Sequence, residues 1–344
     1  MPIVRCLSHL LIIAAACLAI LLPAGCGRGP SGANQVVLYC SVDQTVARPV
    51  IAEFQRKTGI TVIVQTDTEA TKTTGLSERL EAEKDNPQAD VWWGNEVFHT
   101  IRLADAGVLA SYDSPSAGAI PPRYKDQASR WAGTALRVRV IARATGSEDA
   151  TRAAGEIDSI LDLLQPALKG RICMARPIAG TTRGHIAALY TLWGPARMEQ
   201  YLNGLKANDI KLLGGNSIVA EMVGRGPMWA GLTDNDDVDA AKREGGQIEM
   251  VLPDQQPGGI GTLTMPCTVA LVAGARHPEA ARKLIDYLLS AEVESKLLQA
   301  GFARYSVFAD EGAQDVRAMD VDYAKAAANL KPATELAEKV LSGR

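Results

Sequence analysis

Val36-Val37-Leu38-Tyr39-Cys40-Ser41-Val42-Asp43 is the stretch from which the fold is read. Its unbroken apolar start reads as a buried strand that ends in a polar loop. A helix follows, with Val46, Val50, Ile51 and Phe54 at helical spacing, and it closes at Lys57-Thr58-Gly59. Ile60 to Val64 is a second strand. Thr71 to Lys84 is helical, with Leu76 and Leu80 one turn apart, and Ala89-Asp90-Val91-Trp92-Trp93 is a third strand. This βαβαβ order predicts a parallel sheet with crossover helices. In open sheets of that kind, ligands bind beyond the carboxyl ends of the strands. Asp43 after the first strand, and Asn95 with Glu96 after the third, are therefore site candidates.

Working outward, Val97 to Ala106 reads as a helix, and Ser111 to Arg130 is irregular, with Pro115, Pro121 and Pro122. Thr134 to Arg143 alternates Leu136, Val138 and Val140 with Arg137, Arg139 and Arg143, which predicts a half-exposed strand leading into a second domain. There the pattern repeats. Arg171 to Met174 is a strand, Ile178 to Gly184 a polar loop, and Ile186, Leu189, Tyr190 and Trp193 share one helix face. Pro195 to Lys206 is a further helix, Ile210 to Leu213 a strand, and Asn216-Ser217 caps a helix through Val223. Met228 to Leu232 is a buried strand that runs into Thr233-Asp234-Asn235-Asp236-Asp237, and a helix-like segment spans Val238 to Glu244. Strands at Ile248 to Leu252 and Leu263 to Val272 carry the chain back. Pro278 to Leu289, Glu292 to Gln299 and Val321 to Leu341 are helical, the first strongly amphipathic. Two α/β lobes joined by several crossings would form a cleft that opens and closes.

The strand-end acids carry two readings. Asp43, Glu96, Asp234, Asp236 and Asp237 could together face a hard cation, which prefers oxygen ligands. Asp and Asn are also good helix caps, and acids in a first helical turn are favoured by the helix dipole. Gly180-Thr181-Thr182-Arg183-Gly184 lies between a strand and a helix, where backbone N–H groups, the hydroxyls of Thr181 and Thr182, and Arg183 could hold an anion. A plain capped turn explains the same residues. Thr71 and Lys72 form a similar, weaker anion candidate. No Gly-x4-Gly-Lys loop, His-Glu-x-x-His pair or Gly-x-Ser-x-Gly elbow occurs, so catalysis has no support in the sequence.

Leu10 to Leu22 is apolar and follows Arg5, too short a run to span a membrane comfortably and typical of a secretory signal peptide over residues 1–25. Leu22-Pro23-Ala24-Gly25-Cys26 resembles a bacterial lipoprotein processing site, with Pro23 where that pattern usually has Leu. Cys26 would then carry the lipid and residues 26–34 would be a flexible linker. With Arg5 removed, 35 Lys and Arg face 39 Asp and Glu, a mild acidity without a basic tract that argues against a nucleic-acid partner. Cys40, Cys173 and Cys267 remain. They lack metal or redox spacing, at most one pair can form, and buried free thiols are the default.

Val36 to Asp43, the segment Phe54-Gln55-Arg56-Lys57-Thr58-Gly59-Ile60-Thr61-Val62, and Ala89 to Glu96 together resemble bacterial solute-binding proteins of ABC importers, close to the ferric-iron-binding group. Leu103 to Leu109 and His277 to Leu288 extend the resemblance. It implies a two-lobed, type II venus-flytrap fold. Lobe 1 would comprise residues 35–135 plus about 253–300, and lobe 2 residues 136–252 plus about 301–344. It also implies a non-enzymatic, monomeric, exported and membrane-anchored receptor that delivers its ligand to a permease and ATPase. In the iron-binding group a residue after the first strand, a Glu after the third and two adjacent Tyr hold the metal, with an anion at a Ser/Thr-Gly loop. Carried over, these positions are Asp43, Glu96 and Asp236-Asp237, with Thr181 to Arg183 as the anion loop. Both Tyr are replaced by Asp. The expected ligand is accordingly Fe(III) or another metal with a companion anion. The alternatives are a phosphonate, phosphorylated or amino-bearing organic solute, then a metal-dependent hydrolase, and last the ligand subunit of a sensor.

Overall fold

The computed structural model describes residues 34–68, 71–309 and 315–342. The signal segment, Cys26 and all of the expected linker but Asn34 lie outside the described residues. Strand β1 (Gln35–Cys40) is followed by α1 (Gln44–Thr58), β2 (Thr61–Thr66), α2 (Thr74–Ala82), β3 (Val91–Gly94), α3 (Phe98–Asp105) and the short β4 (Leu109–Ala110). β1 pairs in parallel with both β2 and β3, as the βαβαβ reading requires. Helix α1 buries Ala47, Val50, Ile51 and Phe54 against this sheet and ends at Gly59, whose φ of 70° is one that Gly adopts without a Cβ penalty. Trp92 and Trp93 are both fully buried, so neither lines a pocket.

Strand β5 (Ala132–Ala144) is the pivot of the topology. Behind it come α4 (Glu148–Ala154), β6 (Ile172–Ala175), α5 (Gly180–Ala207), β7 (Lys211–Leu213), α6 (Asn216–Gly224), β8 (Ala230–Asp234), α7 (Asn235–Arg243) and β9 (Ile248–Val251). The chain closes with β10 (Thr264–Val272), α8 (Pro278–Leu288), α9 (Ala291–Gln299), α10 (Tyr323–Ala328) and α11 (Leu330–Ser342). The strand order is β2-β1-β3-β10-β5-β8-β6-β7, with β4 on β10 and β9 on β5. Helix α4 was not expected from the sequence. α5 merges the two helices read there, and the break between them falls at Gly194, with φ of 76°.

The first part of β5, Ala132 to Val138, pairs antiparallel with β10; the second part, from Arg139, pairs antiparallel with β8 and β9. One strand thus serves both halves of the sheet, and the handover falls between Val138 and Arg139. A bulge precedes it. Pro266 of β10 cannot donate a ladder hydrogen bond, the register shifts between Pro266 and Cys267, and Ala135 takes a φ of 49°. The N–H of Ala135 is satisfied by Glu294 at 3.1 Å.

The expectation of a half-exposed β5 is corrected by the structure. Arg137 and Arg139 are each 1 % exposed: the Phe302 ring packs on Arg137, and Asp234 and Asp236, at the end of β8 and the start of α7, take the two guanidiniums. Arg139 stands directly opposite Asp234 in the β5–β8 register. Cys40, Cys173 and Cys267 are all buried free thiols.

Candidate ligand-binding site

The buried apolar runs of β5 and β8 bring arginines and acids together at the strand ends. Arg139 donates through Nη1 to Asp234 at 2.6 Å and to Thr181 Oγ1 at 3.2 Å. The Arg137 guanidinium reaches Asp234 at 3.1 Å, pairs with Asp236, and lies 4.7 Å from the centre of the Phe302 ring. Asp234 also accepts from the Thr181 hydroxyl at 2.6 Å and from the Asn216 amide at 3.1 Å. Asn216 in turn accepts from the Thr182 hydroxyl at 2.9 Å. A buried charge needs partners of this kind, since unpaired it would cost several kcal/mol.

The three acids differ electrostatically. Burial pushes the Asp234 carboxyl up, but Arg137 and Arg139 outweigh it and hold the group down at about 2. For Asp236, burial wins over Arg137, with Asp234 and Asp43 adding to the upward push. Asp237 is held well above the carboxylate range, first by burial and then by repulsion from Asp236 and Asp234. It accepts one hydrogen bond, from the Thr233 hydroxyl at 3.1 Å. One oxygen from each of Asp234, Asp236 and Asp237 lies within 4.8 Å of the others, a spacing that could hold a metal ion.

A cavity of about 210 Å³ opens on this cluster. Lys72 and Asn95 line it from the first half of the fold, and Arg137, Asn216, Asp234 and Asp237 from the second. The first turn of α5, Gly180 to Thr182, forms another wall; no side chain caps that turn and it contains no acid. The carbonyl oxygen of Lys72 lies 3.6 Å from where a Cβ on Gly180 would stand, so the walls approach closely. Arg137 keeps two buried nitrogens, Nε and Nη1, without a hydrogen-bond partner. Such donors are costly to leave unpaired.

The remaining expected residues are dispersed. Asp43 is ion-paired with Lys72. Glu96 is fully buried and accepts from the N–H groups of Phe98 at 2.7 Å and His99 at 3.1 Å, and its Oε1 lies 2.8 Å from His99 Nδ1. It therefore serves the start of α3 and does not join the acid cluster. Thr71 bonds Thr68 and Asp67 on the surface. Arg183 turns away from the cavity to Thr334 at 3.1 Å, with His99 Nε2 at 3.4 Å. His185, buried beside Arg139, is pushed down to about 3 by burial and by that neighbouring charge, so it is neutral. Sequence reasoning missed Arg137, Arg139 and Asn216. The available signal was two arginines at alternate positions of an otherwise apolar strand in a chain with clustered acids.

Comparison with known proteins fits this geometry. A model of the bacterial extracellular solute-binding protein family matches residues 36–303. A Salmonella typhi protein named as a candidate 2-aminoethylphosphonate-binding periplasmic protein is 24 % identical over 291 residues, 81 % of each chain. An Fe(3+)-binding periplasmic protein of Serratia marcescens is 24 % identical over 288 residues, 82 % of this chain and 81 % of that one. The ferric binding protein of Campylobacter jejuni superposes with a TM-score of 0.77 at 20 % identity, covering 89 % of this chain and 99 % of the other, which supports the two-lobed type II fold. The chain belongs to the bacterial extracellular solute-binding protein family, whose members serve ABC importers together with permease and ATPase subunits.

Proposed function

We propose that the protein is the membrane-anchored solute receptor of an ABC importer and that its cargo is a small organic anion carrying a phosphonate or phosphate group. The observation that carries this reading is Arg137: a guanidinium buried in the cavity wall with two donor nitrogens that no protein group takes. The uncapped first turn of α5 adds backbone donors and the positive end of a helix dipole on an adjoining wall. Arginine suits the planar, multi-oxygen face of such an anion, and buried charge-assisted hydrogen bonds are the strong ones. The Salmonella relative's name points to the same chemistry.

A metal of the ferric type is the second reading, favoured by the spacing of the three Asp oxygens and by the Serratia relative's name. It ranks lower because two of those acids already hold guanidinium groups. A cation entering there would meet Arg137 as well as carboxylates. The receptor is taken to be a monomer whose halves, residues 35–135 with about 253–300 and 136–252 with about 301–344, close on the ligand. Lipid on Cys26 holds it to the membrane. A Cys26→Ala form is expected to leave the membrane fraction, and its retention there would rule out that anchor.

Calorimetry on chelator-treated protein separates the readings. Ethylphosphonate, 2-aminoethylphosphonate and a sugar phosphate are titrated beside Fe(III) with and without citrate. Binding of a phosphonate or phosphate without added metal is expected. Tight Fe(III) binding with silence from every organic anion would overturn the proposal.

A further inference from the structure

Around the cavity the charges pair off and leave one cation over. Lys72 is matched by Asp43, and the buried Arg137 and Arg139 are matched by Asp236 and Asp234. Asp237 offers no countercharge, since burial and its neighbours Asp236 and Asp234 hold it well above the carboxylate range. Arg176 is exposed and lines the cavity, and among the described residues its guanidinium has no hydrogen-bond or ion-pair partner. Its backbone is nevertheless fixed. The Arg176 N–H donates to the Leu213 carbonyl at 2.9 Å, and Pro177 after it confines the residue to extended conformations. β6 runs parallel to β8 with Met174 opposite Leu232, so Arg176 lies two residues beyond that pair, level with Asp234. β5 flanks β8 on the other side, and its backbone is therefore about 10 Å, two strand spacings, from that of β6.

We infer that the site takes a solute with two acidic ends: a phosphonate or phosphate seated on Arg137 and the first turn of α5, and a second anionic group, such as a carboxylate, held by Arg176. This rests on the organic-anion reading above and deepens it by assigning the residue that reads the far end of the solute. Arg137 is 1 % exposed within the cavity wall, whereas Arg176 is exposed and rooted two strands away. One phosphoryl group seated on the first leaves the second without an acceptor. A planar guanidinium matches a carboxylate through two parallel N–H donors, which fixes direction as well as charge. The same cavity is lined by Ala175, Ile178 and Ala179, apolar side chains against which a short methylene spacer can lie. Its volume of about 210 Å³ suits a solute of that length.

The test is calorimetry of 2-carboxyethylphosphonate and of its carboxamide, which keeps the shape and lacks the second charge, on wild type, Arg176→Gln and Arg176→Lys. The wild type is expected to bind the carboxylate about 10-fold more tightly, the low end of what a charged hydrogen bond supplies, because Arg176 is open to solvent. In Arg176→Gln that ratio is expected to fall to within about twofold, with affinity for the carboxamide held within about threefold. Arg176→Lys keeps the charge without the planar fork and is expected to retain part of the preference. The side chain is exposed, so neither variant threatens the fold. If wild type binds both compounds equally, the two-ended inference fails while the organic-anion reading survives. An undiminished carboxylate preference in Arg176→Gln, or an equal loss for both compounds, removes Arg176 as the reader of a second charge and overturns the inference. If neither compound binds and Fe(III) does, both readings fall together.

Discussion

The strand ends of the two halves of the fold look alike in sequence and behave differently in structure. In the first half each acid is closed off locally. Asp43 is held by Lys72, while Glu96 is consumed by the N–H groups that open α3 and by His99. In the second half Asp234 and Asp236 share two guanidiniums delivered by a different strand, and the sharing leaves two nitrogens of Arg137 without a partner. An acid at a strand end is thus a ligand candidate only after its local partners have been counted. By that count the unpartnered donors lie in the second half, and the first supplies a wall of the cavity.

The largest expected effect tests the second half. Arg137→Gln removes the cavity donors and strands Asp236. Phosphonate affinity should fall by about 100-fold, and stability by about 3–5 kcal/mol as a buried pair is broken. Calorimetry and chemical denaturation read the two losses separately. Arg137→Gln also frees Asp236 for a cation, so a gain of Fe(III) or Mn(II) binding would sharpen the contrast further.

His185 gives the next effect, in acid. Its folded value of about 3 lies below the ordinary 6.5, so the unfolded chain takes up a proton first and stability is lost as pH falls through that window. Between about pH 7 and about pH 5 the loss should be about 2 kcal/mol, and His185→Gln should flatten that part of the denaturation profile. An unchanged slope in the variant would place the acid sensitivity elsewhere.

Gly184 tests how closely the two halves pack. A Cβ there would stand 2.4 Å from a ring carbon of Phe98 at the start of α3. Gly184→Ala should cost about 1–3 kcal/mol in stability or lower ligand affinity by a similar amount. The paired Phe98→Leu change should restore part of it. Glu96→Gln is the milder first-half control: about 1 kcal/mol of stability through a weakened cap, with ligand affinity within about threefold. Loss of binding in Glu96→Gln would break the comparison outright.

Much of this fold could be read from the chain. The apolar runs of β3 and β8 are fully buried, and that of β1 is buried but for the half-buried Val37, as such runs should be. Gly59, on which the first-helix boundary was placed, caps α1 with a left-handed φ. Where the reading failed, it failed for one physical reason. Alternation along β5 reports which residues share a face; it does not report what covers that face. Arg137 and Arg139 were assigned to water because no local signal showed that β8 would bring Asp234 opposite Arg139. Asp234, Asp237, Thr181 and Thr182 line the cavity and Asp236 stands beside them, and turn and strand-end positions of that kind are visible in sequence. Their arginine partners and Asn216 depend on pairing across 35 to 99 residues, which no local pattern encodes.

The claim that Arg137, rather than a bound metal, organises the ligand is tested most directly by a crystal structure of chelator-treated protein grown with 2-aminoethylphosphonate. Phosphonate oxygens are expected within hydrogen-bond distance of the Arg137 guanidinium and of the α5 first turn. Anomalous density for a metal between Asp234, Asp236 and Asp237, with the Arg137 guanidinium displaced, would contradict it.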